Sequence, residues 1–121
     1  MKYLLLICED EKSWSAMGES ERQSTMASYR QFGQEIRGSG HYVNGAQLQP
    51  ISSATSVRVR DGKRLVTDGP FAETREQLGG FYLVEAKNLD EAIGLAARIP
   101  GAKTGTIEVR PLVEHPVPAP A

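Results

Sequence analysis

The chain has 121 residues and a mass of 13.2 kDa, with 40% hydrophobic and 24% charged residues, a composition that fits one globular domain with its own core. Lys and Arg number 14 against 15 Asp and Glu, a net charge of -1, so the basic excess of a nucleic-acid-binding domain is missing and no nucleic acid is expected as partner. Cys8 is the single cysteine and His41 and His115 are the only histidines, which excludes an intrachain disulfide, a cysteine-rich zinc site and histidine-cluster chemistry.

Tyr3 to Cys8 is apolar at both parities and predicts a strand buried on both faces. It is shorter than the roughly 7–15 apolar residues of a signal peptide or the roughly 20 of a membrane helix, and Glu9-Asp10-Glu11-Lys12 follows at once. A cytoplasmic protein without a membrane partner is the expectation. After a charged loop containing Trp14, a helix is predicted from Ser20 to Arg37, with Met26, Tyr29, Phe32 or Gly33, and Ile36 on one stripe. Ser20 and Gln23 predict a capping box at its start, and Gly38-Ser39-Gly40 supplies its end. His41 to Gln49 then reads as a second strand, weakened by Asn44-Gly45.

Thr55 to Thr67 predicts a hairpin, because Asp61-Gly62 between alternating runs favours a two-residue type I′ turn. That turn sets Arg60 opposite Lys63, Val59 opposite Arg64 and Val57 opposite Val66. One face then holds Val57, Val59 and Val66; the other holds Arg58, Arg60, Lys63 and Thr67, a solvated face that also discourages edge pairing. Continued regularly, the same parity puts Asp68 on the apolar face. Gly80 to Ala86 is the next strand. Asn88 with Glu91 opens a helix whose Leu89, Ile93, Ala96 and Ala97 are expected to face inward, and Pro100-Gly101 stops it. Thr106 to Leu112 is the last strand, with Ile107 and Val109 opposed to Glu108 and Arg110. The domain is expected over 1–113, with 114–121 an extended, mobile, Pro-rich tail.

This order predicts an α+β, ferredoxin-like βαββαβ fold with an inserted β-hairpin. Two helices cover only one face of such a sheet, yet the first strand and Phe81-Tyr82-Leu83-Val84 are apolar on both sides. A homodimer packed sheet against sheet is the economical way to cover the second face.

The segment Asp68-Gly69-Pro70-Phe71-Ala72-Glu73-Thr74-Arg75-Glu76-Gln77-Leu78-Gly79-Gly80-Phe81-Tyr82 resembles the signature of the DGPF subgroup of YCII-related proteins. Met1 to Ile7, the Thr55–Asp68 hairpin, Leu89-Asp90-Glu91-Ala92 and Ile107-Glu108-Val109-Arg110-Pro111 are similar to that family too, so the resemblance spans nearly the whole chain except the tail. It implies a dimeric α/β barrel built from two ferredoxin-like subunits. Some relatives occur beside or fused to extracytoplasmic-function sigma factors, which implies a sigma factor as a candidate partner. The broader family includes a dehydrochlorinase with a His–Asp pair, the His on the first helix and the Asp before a Pro ending the second. Here no His lies between Ser20 and Arg37, and Ile99 precedes Pro100, so both members are missing.

Asp68 is the leading candidate for acid–base work, since a carboxylate directed at an apolar cleft is costly unless paired; its other reading is a cap on the turn at Gly69-Pro70-Phe71. Glu73 and Tyr82 complete the catalytic candidates, against an acidic turn and a core or interface aromatic. Glu76 reads as part of the same acidic turn. Arg64, Phe71 and His41 are the ligand-binding candidates, with a surface ion pair, a packing plug and a strand-end surface residue as alternatives. Cys8 reads as inert packing and Trp14 as an anchor of its loop. No cofactor and no metal are implied. Two functions follow: a dimer binding a small organic ligand in a cleft beside the Asp68–Gly80 loop, with lyase- or isomerase-type proton transfer, or a non-catalytic accessory dimer.

Overall fold

Alternation along the first strand sets the architecture. In the computed structural model, which describes residues 1–115, β1 (Lys2–Glu9) buries Tyr3, Leu5 and Ile7 on one face and leaves Leu4, Leu6 and Cys8 partly exposed on the other. Two helices cover the first face. One is α2 (Glu19–Gly38), which buries Phe32, Gly33 and Ile36; the other is α3 (Leu89–Ala97), which buries Ala92, Leu95 and Ala96. With Val84, Ala86 and Ile99 these side chains form one core. Each large member contributes about 1.5–3 kcal/mol on leaving water.

The sheet is antiparallel, in the order β2 (Tyr42–Gln47), β5 (Gln77–Glu85), β1, β6 (Thr106–Pro111). With both helices on one side this is the ferredoxin-like α+β fold. A separate hairpin, β3 (Thr55–Arg60) and β4 (Lys63–Asp68), is inserted between β2 and β5. Its register is the predicted one, and Asp61 and Gly62 take φ of 53° and 73°, the left-handed pair that a type I′ turn demands. Asp68 pairs with Thr55 and so shares the Val57–Val66 face. No helix among the described residues is long and apolar enough to cross a membrane.

Several local expectations need correction. The charged segment after β1 is not a loop but a short helix, α1 (Glu11–Ala16), because Asp10 accepts from the Lys12 N–H and caps it. The Ser20–Gln23 capping box does not form: α2 starts a residue earlier, with Gly18 as its N-cap and no side-chain bond there, so Ser20 lies inside the first turn. Met26 is 38% exposed, outside the buried stripe of α2. The inward stripe of α3 is Ala92, Leu95 and Ala96, with buried Ile99 following just past its end, whereas Leu89, Ile93 and Ala97 are exposed. Small Ala92 and Ala96 let the helix approach the sheet closely, and that face wins over the one with bulkier ends. Strand β5 begins three residues before Gly80, across a bulge where Ile7 pairs with Gly80 and Cys8 with Leu78. Of the expected tail, 114 and 115 have no regular structure and 116–121 lie outside the described residues.

Candidate functional site

The polar groups of the fold collect where β1 ends and β5 begins. Glu9 continues the buried stripe Tyr3–Leu5–Ile7 by one more inward position, which brings its carboxylate under α2. There it accepts a hydrogen bond of 3.3 Å from the Tyr29 hydroxyl, which in turn accepts one of 3.1 Å from the Gly101 N–H. Desolvation pushes the Glu9 carboxyl above its ordinary range, the Tyr29 bond partly offsets this, and nearby Glu76 adds to the rise. Tyr29 is itself pushed well above the usual phenol range, first by desolvation and then by the Glu9 charge.

A carboxyl whose folded pKa lies above its unfolded one favours folding at low pH, and that contribution is lost as pH rises through the folded value. Glu9→Gln keeps an acceptor for Tyr29 and removes the desolvated charge. The variant is expected to be more stable than the parent at neutral pH by less than about 1 kcal/mol, since the carboxyl is only half-buried, and to lose the advantage near about pH 4. Thermal melts at the two pH values check this; a destabilised Glu9→Gln at neutral pH contradicts it.

Beside this pair the signature loop closes onto α1. The Gln77 side chain accepts from the Glu11 N–H at 2.9 Å and donates to the Thr74 carbonyl at 2.6 Å. Glu11 accepts from the Ile51 N–H at 3.1 Å, and Thr106 donates to Glu76 at 2.9 Å. These ties frame a cleft of about 390 Å³ between Asp10, Glu11 and Lys12 on one side, Thr74, Arg75 and Gln77 on the other, and Ile51 at one end. Among the described residues Lys12 and Arg75 belong to no ion pair. Cys8 lies on the opposite face of β1, where burial, Glu108 and Glu76 all push its thiol pKa up and keep it protonated.

The residues singled out from sequence are not assembled into one site within the chain. Asp68 ends β4 in solvent; the turn after it is tied by Gly69 N–H to Ala54 and by Ser56 Oγ to the Gly69 carbonyl, both at 2.7 Å, and not by the Asp68 carboxylate. Glu73 is exposed on the loop, and Phe71 is 81% exposed beside β3, at a hollow of about 600 Å³ bordered by Thr55–Arg58 and Arg60. Arg64 is exposed near the hairpin tip. Tyr82 faces the helices, its ring edge-on to Phe32 with centroids 5.2 Å apart, in space left by the missing Cβ of Gly45. Desolvation, then the neighbouring Tyr42, raises its pKa.

His41 sits at the far end of β5, where its carbonyl accepts from the Glu85 N–H, and its ring is spent on Ser39 at 2.6 Å and Glu91 at 3.0 Å. The Lys87 N–H, ahead of His41, holds the Glu91 carboxyl below its ordinary range. Eight residue-to-residue steps along β5, about 26 Å, separate Glu85 from Gln77, where the loop joins. Sequence reasoning missed the Glu9–Tyr29 pair. Its signal was present: a carboxylate two residues beyond the stripe Tyr3–Leu5–Ile7, and a tyrosine on the apolar stripe of α2.

Comparison with known proteins adds the family. The model of the YCII-related domain matches residues 1–116. An uncharacterized protein of Rhizobium meliloti (strain 1021) is 39% identical over 114 residues, covering 93% of this chain and 92% of that protein. Fold, coverage and identity agree: the chain belongs to the YCII-related family.

Proposed function

We propose that the chain is one protomer of a homodimer that binds a small organic molecule in the cleft beside the Asp68–Gly80 loop. The cleft carries the reading. Its 390 Å³ lies within the size range of small-ligand pockets, and three of its lining residues, Thr74, Arg75 and Gln77, come from the signature segment, which also supports a place in the DGPF subgroup. Its charges are unequally committed. Asp10 caps α1 and Glu11 holds Ile51, while Lys12 and Arg75 keep their cations for a ligand. A small organic acid is the class this favours. Dimerisation is supported by the open face of the sheet, where Leu4, Leu6, Phe81 and Leu83 form an apolar centre without a covering helix.

Lyase- or isomerase-type proton transfer would draw on Asp68 and Glu73, the exposed carboxylates of the signature segment. The second reading, an accessory dimer contacting a protein such as an extracytoplasmic-function sigma factor, is favoured by the exposure of Asp68, Glu73 and Phe71. Thermal melts in a panel of small mono- and dicarboxylic acids separate the two. A binder at a hundred times its Kd is expected to stabilise the parent by about 2.7 kcal/mol, and Arg75→Ala to weaken that acid about ten-fold. No shift with any acid, or an identical shift in Arg75→Ala, rejects the ligand site in favour of the accessory role.

A further inference from the structure

The cleft makes no use of the β3–β4 hairpin, which forms a two-stranded sheet of its own. Its register fixes two unlike faces. One holds Val59 with Arg64 near the tip, Val57 with Val66 in the middle and Thr55 with Asp68 at the base. The other holds Arg60 with Lys63, Arg58 with Leu65, and Ser56 with Thr67. The valines of the first face are uncovered, Val57 at 60%, Val59 at 61% and Val66 at 58% exposure. A lone two-stranded hairpin is marginal in water, and a contiguous apolar face on one marks a contact surface.

The order of charges along β4 says what fits there. Arg64 lies two residues toward the tip from Val66, and Asp68 two residues toward the base, so the face runs cation, apolar, anion. A two-fold axis across the strands at Val66 stacks β4 on the same strand of a second copy, antiparallel. Val66 then meets its own copy, and Arg64 lies opposite the partner subunit's Asp68, twice over. A two-fold along the strands stacks β4 on β3 instead and pairs no charges. The second face carries Arg58, Arg60 and Lys63 without a carboxylate, so it repels its own copy.

The spacing also fits. Packed sheets lie about 10 Å apart, which an extended arginine and an aspartate span between them. Their usual crossing of about 30° displaces residues two positions from the axis by about 3 Å, within the freedom of the arginine stem. Neither Arg64 nor Asp68 has an ion-pair partner among the described residues.

We propose that the Val57–Val59–Val66 face docks on the same face of a second copy, antiparallel, held in register by reciprocal Arg64–Asp68 ion pairs. The contact rests on the homodimer reading above and adds to it a surface outside the four-stranded sheet. It also gives Asp68 a docking role in place of the proton transfer considered for it.

Sedimentation equilibrium of the full chain at low salt tests this through charge reversal. R64D and D68R are each expected to weaken self-association about ten-fold, because each sets like charges face to face at two places. The double variant R64D/D68R is expected to return to within about three-fold of the parent, since it restores both pairs with their signs exchanged. All the replaced side chains are exposed, so circular dichroism should report an unchanged fold. A dimer that ignores both single reversals, or a double variant weaker than either single one, overturns the hairpin contact and leaves the open-face dimer standing. A chain that stays monomeric at millimolar concentration overturns both.

Discussion

Leu5→Ala is expected to remove about 2–5 kcal/mol of stability, a large share of what a single domain possesses. Leu5 is wholly buried, pairs with Tyr82 on one side and Val109 on the other, and lies beneath α2 and α3 in the core. Truncation therefore loses transfer free energy and leaves a void between the layers that the regular sheet cannot close. Leu4 is the internal control. It is the same residue type on the same strand, turned to the open face and only partly covered. Leu4→Ala is expected to cost the folded chain less than about 1.5 kcal/mol, with any further loss, because it acts through association, present at high protein concentration and fading on dilution. Denaturant titrations at two protein concentrations distinguish the cases. Equal, concentration-independent losses for the two variants would contradict the assignment of faces.

That contrast shows what was legible in the sequence. Apolar residues at both parities of β1 predicted a strand buried on both faces; in the structure α2 and α3 cover one face, and Leu4, Leu6 and Cys8 on the other stay partly exposed. The hairpin was the most legible element, since Asp61-Gly62 leaves a single register in which the valines share a face. Elements whose placement depends on tertiary contacts were harder to read. The phase of α3 follows from how closely Ala92 and Ala96 can approach the sheet, and not from the larger side chains Leu89 and Ile93. α1 depends on one Asp10 cap and on the Gln77 side chain reaching Glu11 across 66 positions. The candidate site was half legible. The segment Asp68–Tyr82 lends Thr74, Arg75 and Gln77 to the cleft, but Asp68, Tyr82 and His41 lie on different faces or ends of the molecule. Glu9 and Tyr29 meet only because α2 folds back over the end of β1.

The other large effect is expected at Gly105, where the last strand is about to begin. Alanine there would drive its Cβ into the backbone carbonyl of Cys8 and to 2.7 Å from the Cγ of Glu9. Gly105 has no left-handed backbone to explain it, so its requirement is purely steric: β6 must start flush against the end of β1, where Cys8 pairs with Thr106. A backbone oxygen inside a hydrogen-bonded ladder cannot swing aside as a side chain can. Gly105→Ala is expected to cost about 3 kcal/mol, or roughly 12 °C in Tm. Gly101→Ala supplies the comparison. Its Cβ would also collide with Glu9, but with the carboxylate end, and would reach 2.7 Å from the Tyr29 hydroxyl. Those groups can rotate away, so the stability cost is expected to be smaller, about 1–2 kcal/mol, and to come with loss of the Tyr29–Glu9 bond. Once released into solvent, the Glu9 carboxyl should titrate in its ordinary range. Gly101→Ala is therefore expected to abolish the pH-dependent gain of Glu9→Gln, whereas Gly105→Ala acts mainly through the strand. A Gly105→Ala protein that melts with the parent would show that β6 does not need this close approach to the end of β1.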